Sequence, residues 1–149
     1  LNFVVKVDSK MDTLTENIEK IQHTPPVIAH PTTSLSEIIS ILKDKGINHL
    51  PIVDKDKVVG VISKQDLFKK ILSLSHTTTG RTYNQIQLDH MQANEVMTPD
   101  PITVLPTDSI RYAEELLLQG EFHCLPVVDN NNKPIGMVTP YDILKYYNR

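Results

Sequence analysis

Two short strings in the chain place a hydroxyl and a carboxylate three residues apart: Gly60-Val-Ile-Ser63-Lys-Gln-Asp66 and Gly136-Met-Val-Thr139-Pro-Tyr-Asp142. Each reads glycine, two apolar residues, a hydroxyl, two variable residues and aspartate, and each hydroxyl stands where a β-branched run gives way to a helical pattern. The first chemistry this spacing suits is capping. Ser and Thr are favoured helix N-caps, and a carboxylate three residues on suits the positive end of the helix. The same arrangement suits a nucleotide. Free N–H groups at a helix N-terminus can donate to a phosphate, and the hydroxyl adds a donor. An aspartate one turn in can accept from both hydroxyls of a ribose, and a strand glycine permits close backbone approach. Capping explains either string alone. Two strings at matched positions, each after the same hairpin, point further, to a site.

The elements that must position these residues recur as well. Residues 26–72 align with residues 101–148 once a single inserted residue near Lys133 is allowed. Pro26 falls on Pro101, Ser34 on Ser109, Leu50-Pro51 on Leu125-Pro126, Gly60 on Gly136 and Asp66 on Asp142. Each copy begins with an extended piece, residues 27–29 or 102–104, halted by a proline. A helix follows, opened in the first copy by the capping-box pattern Ser34-x-x-Glu37. Leu35, Ile38, Ile39 and Leu42 then recur at helical spacing, and Gly46 and Gly120 end the two helices. Two β-branched runs form a hairpin, residues 50–53 with 58–62 and residues 125–128 with 135–138. A last helix covers residues 65–72 or 141–147. The order β-α-β-β-α predicts an α/β (α+β) fold of two repeats packed sheet to sheet with pseudo-twofold symmetry. The expected divisions are an extension at 1–16, repeat 1 at 17–72, a polar linker at 73–89 and repeat 2 at 90–149. The linker reads as partly mobile, and residues 15–21 read as a helix leading into the first copy.

Composition narrows the function classes. The chain has 149 residues, with 15 Lys and Arg against 18 Asp and Glu, a formal net charge of −3. That balance recruits neither nucleic acid nor anionic membrane by bulk electrostatics. No apolar run approaches the roughly 20 residues of a membrane helix, so no membrane insertion is expected. The single cysteine, Cys124, excludes an internal disulfide and fits a cytoplasmic, reducing location. It reads as a small strand residue. The six histidines show no tight metal-ligand spacing, and no metal site is expected. Tyr141, Tyr146 and Tyr147 on the last helix suit packing or a dimer surface.

The string G-h-h-[S/T]-x-x-[D/N], preceded by Leu125-Pro-Val-Val-Asp129 and by Glu95-Val-Met-Thr-Pro-Asp-Pro-Ile-Thr-Val104, resembles the CBS (cystathionine-β-synthase-type) domain. The resemblance covers nearly all of residues 17–148, and two such domains form a Bateman module. It implies a regulatory ligand, drawn from AMP, ADP, ATP, S-adenosylmethionine or cyclic di-AMP, with no required cofactor. It also implies ribose-binding aspartates at Asp66 and Asp142 and hydroxyl contacts from Ser63 and Thr139. Adenine would be held by backbone at Ile28, Ala29 and His30 and at Thr103, Val104 and Leu105. Residues around the Leu-Pro pairs, His49 and Pro51 in one copy and His123 and Pro126 in the other, complete the implied nucleotide set. The chain departs from the family where basic phosphate contacts often stand. It has Asn48-His49 and His123-Cys124 there, with Lys64 and Arg81 as candidates to compensate. It departs again where Val96-Met97-Thr98 of the second copy is matched by Ile21-Gln22-His23 in the first.

The implied function is a non-catalytic sensor of an adenine nucleotide that regulates an unidentified client protein, assembled as a homodimer. The alternative is a dimerisation scaffold in which both strings are only caps. No nucleophile, activated base or metal supports an enzyme.

Overall fold

The computed structural model describes residues 16–75, 81–120 and 122–149. Residues 1–15 of the expected extension, and residues 76–80 of the expected linker, lie outside the described residues. The chain forms two compact units.

One unit comprises Pro26–Pro101 with Asn132–Pro134. Helix α1 (Leu35–Lys45) starts where Ser34 Oγ accepts from the Glu37 N–H at 3.2 Å, and it stops at Gly46, whose φ of 63° glycine adopts without strain. Leu35, Ile38 and Leu42, one per turn, enter the core. Strands β1 (His49–Asp54) and β2 (Lys57–Ser63) run antiparallel about a two-residue turn. The turn residues Lys55 and Asp56 have φ of 48° and 65°, a left-handed pair that matches the twist of the flanking strands. The strands therefore reach further into the expected four-residue turn than composition suggests. Helix α2 (Lys64–Ser75) follows β2 directly. Strand β3 (Thr98–Pro99) pairs with β2, setting Gly60 opposite Pro99 and Val61 opposite Thr98. The extended piece lies on the other side, where Ala29 bridges Ile52 in parallel.

Helix α3 (Arg81–His90) falls inside the segment read from its composition as a polar linker. Its helical bonding continues at the C-terminal end, where the Met91 N–H donates to Gln87 O at 2.8 Å. Leu88 is buried in the unit's core, and Met91 packs against that core. Among the residues of this helix whose side chains are described, Leu88 alone is buried, too sparse for periodicity to register.

The other unit joins residues 16–25 to Ile102–Asn131 and Ile135–Arg149. It repeats the plan with α4 (Ile110–Leu118), capped by Ser109 Oγ accepting from the Tyr112 N–H at 3.1 Å, and the paired strands β4 (Leu125–Val128) and β5 (Pro134–Val138). Helix α5 (Pro140–Tyr147) ends it, and Val104 bridges Val127 in parallel as Ala29 bridges Ile52. Among residues 16–21 the helical part is a single 3₁₀ turn, Ile18–Lys20.

The compact units and the sequence repeats divide the chain differently. The lead-in of the first copy is built into the unit that carries the second copy's hairpin. There the Ile18 N–H donates to Asp108 O at 2.9 Å and the Ile110 N–H to Glu16 O at 2.8 Å, while Ile18 and Ile21 enter the core beside Val104 and Val127. The lead-in of the second copy does the same for the first. The Leu35 N–H donates to Met91 O and the Ala93 N–H to Thr33 O, both at 2.9 Å, and Ala93 is buried. Each lead-in caps a helix start and fills a core that its own copy does not provide.

Candidate functional site

At the end of β2, one carboxylate oxygen gathers the donors of the residue before the helix. Asp66 Oδ2 accepts from the Ser63 N–H at 2.9 Å and from the Ser63 hydroxyl at 2.8 Å. The Asp66 N–H returns a hydrogen bond to Ser63 Oγ at 3.1 Å, closing a reciprocal cap. At the end of β5, Asp142 Oδ2 accepts from the Thr139 N–H at 2.7 Å and from the Thr139 hydroxyl at 2.8 Å. The capping half of the double reading is thus present in both units. It uses only Oδ2. The ligand half falls to Oδ1, and here the copies part. Asp66 Oδ1 has no hydrogen-bond or ion-pair partner among the described residues, whereas Asp142 Oδ1 is engaged by His23 Nε2.

The glycines of the two strings are close-packed against the lead-ins. A Cβ on Gly60 would collide with the Met97 thioether and stand 3.1 Å from Thr98 O. One on Gly136 would stand 2.8 Å from Gln22 Oε1 and 2.9 Å from His23 O. The close approach expected of these glycines is therefore made by protein: Met97-Thr98 and Gln22-His23 occupy matched places. Gln22 Oε1 is buried with no hydrogen-bond partner among the described residues.

The extended pieces divide their backbone groups between two sides. The Ala29 N–H donates to Pro51 O at 3.1 Å and Ala29 O accepts from the Val53 N–H at 2.8 Å. In the other unit the Val104 N–H donates to Pro126 O at 3.0 Å and Val104 O accepts from the Val128 N–H at 2.9 Å. The following N–H is also committed: that of His30 to Thr33 Oγ1 at 3.0 Å, that of Leu105 to Asp108 Oδ2 at 2.7 Å. Of the six residues expected to meet adenine through backbone, only Ile28 and Thr103 have neither backbone group bonded to a described residue. These two have a donor and an acceptor to offer. Ala29 and Val104 have their N–H groups committed to the sheet and keep only the second lone pair of each carbonyl.

The remaining expected residues scatter in role. His49 pairs with Ser63 across β1 and β2, which brings the imidazole-bearing residue level with the cap. Its matched residue in the other unit is the buried Cys124, and the exposed His123 precedes it. His30 turns its ring back, and Nδ1 donates to Val53 O at 2.9 Å. Pro51 and Pro126 are buried and act through their carbonyls. Lys64 is exposed at the start of α2. The side chain of Arg81 lies outside the described residues. His23 is a site residue that no motif of the sequence marks. Its only sequence signal is that it departs from the threonine at the matched position of the second lead-in.

Known proteins carry the same plan. The CBS domain family model matches residues 18–73 and 93–149. The uncharacterized protein MJ1225 of Methanocaldococcus jannaschii is 29% identical over 124 residues, 81% of this chain and 43% of its own length. Its crystal structure superposes with a TM-score of 0.79, at 28% identity over 93% of this chain and 51% of that chain. The chloroplastic CBS domain-containing protein CBSX2 of Arabidopsis thaliana is 29% identical over 135 residues, 79% of this chain and 57% of its length. The structure of CBSX2 in complex with AMP has a TM-score of 0.70, at 26% identity over 89% of this chain and 96% of that one. The CBS domain pair of protein MJ0100, in complex with 5′-methylthioadenosine and S-adenosyl-L-methionine, has a TM-score of 0.72, at 28% identity over 89% of this chain and 99% of that one. The chain spans about half the length of these curated relatives.

Proposed function

The chain belongs to the CBS-domain family, and on that premise we propose that it is a regulatory module that binds an adenine nucleotide or adenosyl compound through Asp66 and Asp142. The observation that carries this reading is the division of labour within the Asp66 carboxylate. Oδ2 closes the cap, while Oδ1, on a half-buried residue, is left without a partner among the described residues. An acceptor held rigid by its own cap and open on its other oxygen suits a ribose diol. The unbonded backbone of Ile28 and Thr103 suits the edge of an adenine. Complexes of similar CBS pairs with AMP and with two adenosyl compounds support the ligand class.

The ligand regulates a client only in so far as it binds one conformation of the module better than another. The client is an unidentified protein whose activity the module regulates. A second copy of the chain is its expected partner. Phe68 on α2 and Leu144 on α5, at matched positions, are 61% and 66% exposed, so each unit by itself presents an apolar side chain that such a copy could cover. No described helix is long and apolar enough to cross a membrane. A cytoplasmic location and a non-catalytic role are the readings we adopt with this function.

Thermal unfolding in the presence of AMP, ADP, ATP, S-adenosylmethionine, cyclic di-AMP and GTP tests the proposal. A ligand that binds only the native state raises the midpoint as it saturates. An adenine compound should do so; Asp66→Ala and Asp142→Ala should each reduce the rise according to which site holds the ligand, and the two together should abolish it. Absence of any rise at millimolar ligand would leave the reciprocal caps as purely structural and favour a dimerisation scaffold.

A further inference from the structure

A carboxylate has about four lone-pair positions to offer donors, two on each oxygen. In both units Oδ2 already accepts twice, from a backbone N–H and a hydroxyl. Asp66 therefore keeps two positions on Oδ1 for the two hydroxyls of a ribose. Asp142 keeps one, because His23 Nε2 holds the other. The two sites are chemically unequal although their strings match.

We propose that His23 is a specificity-determining residue of the Asp142 site, where its imidazole takes the place of one ribose hydroxyl and so relaxes the demand for an intact diol. The inference rests on the nucleotide reading of the previous subsection. The Asp142 side chain is 4% exposed and that of His23 is 66% exposed. The carboxylate thus needs a donor on Oδ1 at all times, since a buried charge left unpaired is costly. The imidazole supplies it from the solvent side. The backbone of His23 is fixed independently: its N–H donates to Met137 O at 2.9 Å, and its carbonyl accepts from the Met137 N–H at 3.1 Å. The ring can leave without disturbing the strand pairing. At the matched place in the other unit stands Thr98, with no polar side-chain contact to Asp66 among the described residues. The Asp66 site should therefore fill first with ribonucleosides and discriminate against 2′-deoxyribose. The Asp142 site should bind ribonucleosides more weakly and tolerate the deoxy sugar.

Titration calorimetry with adenosine and 2′-deoxyadenosine tests this on the full chain in four forms: wild type, Asp66→Asn, Asp66→Asn with His23→Ala, and Asp66→Asn with His23→Thr. Thermal melts confirm that each form is folded. In Asp66→Asn, where Asp142 remains, the two nucleosides should bind within about threefold of each other. Removing the imidazole should tighten adenosine and open a ribose preference of about tenfold, the worth of one hydrogen bond to a charged acceptor. A ribose preference that His23→Ala and His23→Thr leave unchanged overturns the proposal, as does weaker adenosine binding in both, which would make His23 a ligand contact. If wild type binds adenosine but the Asp66→Asn forms with and without His23 do not, Asp142 is no site and the inference falls alone. If no form binds any adenine nucleoside, the nucleotide reading falls with it.

Discussion

Ser63 and Asp66 hold each other through three hydrogen bonds, at 2.9, 2.8 and 3.1 Å, and none of them uses Asp66 Oδ1. The pair is complete as a helix cap and incomplete as a hydrogen-bonded carboxylate. Stability and ligand affinity at this residue are therefore separable by substitution.

Asp66→Asn keeps a carbonyl oxygen for the Ser63 N–H, so denaturant unfolding should shift by less than about 1 kcal/mol, within the range of a helix-cap change. Affinity for AMP should fall about tenfold or more, because a charged acceptor of the diol is lost. Calorimetry that finds AMP binding unaltered would leave Asp66 as a cap and nothing else.

The two strand glycines should tolerate alanine unequally. At Gly136 the new methyl would meet His23 O, a backbone atom, at 2.9 Å; at Gly60 its nearest neighbour is the flexible Met97 side chain. Gly136→Ala should cost about 1–3 kcal/mol, the usual range for overpacking, and Gly60→Ala less. Equal losses in chemical denaturation would argue against a rigid Gln22-His23 segment.

Ser34 and Ser109 cap α1 and α4 by accepting from the Glu37 and Tyr112 N–H groups at 3.2 and 3.1 Å. Replacing either with alanine should destabilise the protein by about 1 kcal/mol, while glycine should cost only a few tenths. A melt in which Ser→Gly is worse than Ser→Ala at these positions would contradict the capping role.

Burial, and then the hydrogen bond that the Tyr147 hydroxyl donates to Glu114 Oε2 at 3.1 Å, hold the Tyr147 phenol above its ordinary pKa. The sign follows from linkage. A pKa raised by folding contributes stability that is complete below the unfolded tyrosine value and is lost as pH rises through the higher folded one. Alkaline absorbance titration of the folded protein should show a late-ionising tyrosine that disappears in Tyr147→Phe. If the variant's titration curve keeps that late component, another tyrosine is responsible.

The parts of this molecule that the sequence determined by itself are the local ones. Ser34-x-x-Glu37 opens a helix and Gly46 closes it; Ser63 and Asp66, like Thr139 and Asp142, meet within one turn because three residues of helix bring them together. The repeat doubled each of these signals, which made the hairpins and the order of elements legible. Helix α3 has no legible apolar period: of its residues with described side chains only Leu88 is buried, and Ile86 is exposed. Tertiary structure alone decided which hairpin receives each lead-in. Ile18 and Ile21 could fill either core by composition, and only the matching of shapes and of backbone partners places them: Asp108 O accepts from the Ile18 N–H, and Met137 exchanges two hydrogen bonds with His23. That choice also set His23 against Asp142 and left Asp66 open on one oxygen. Residues so far apart in the chain are brought together by the packing of other side chains, and no local pattern carries that information.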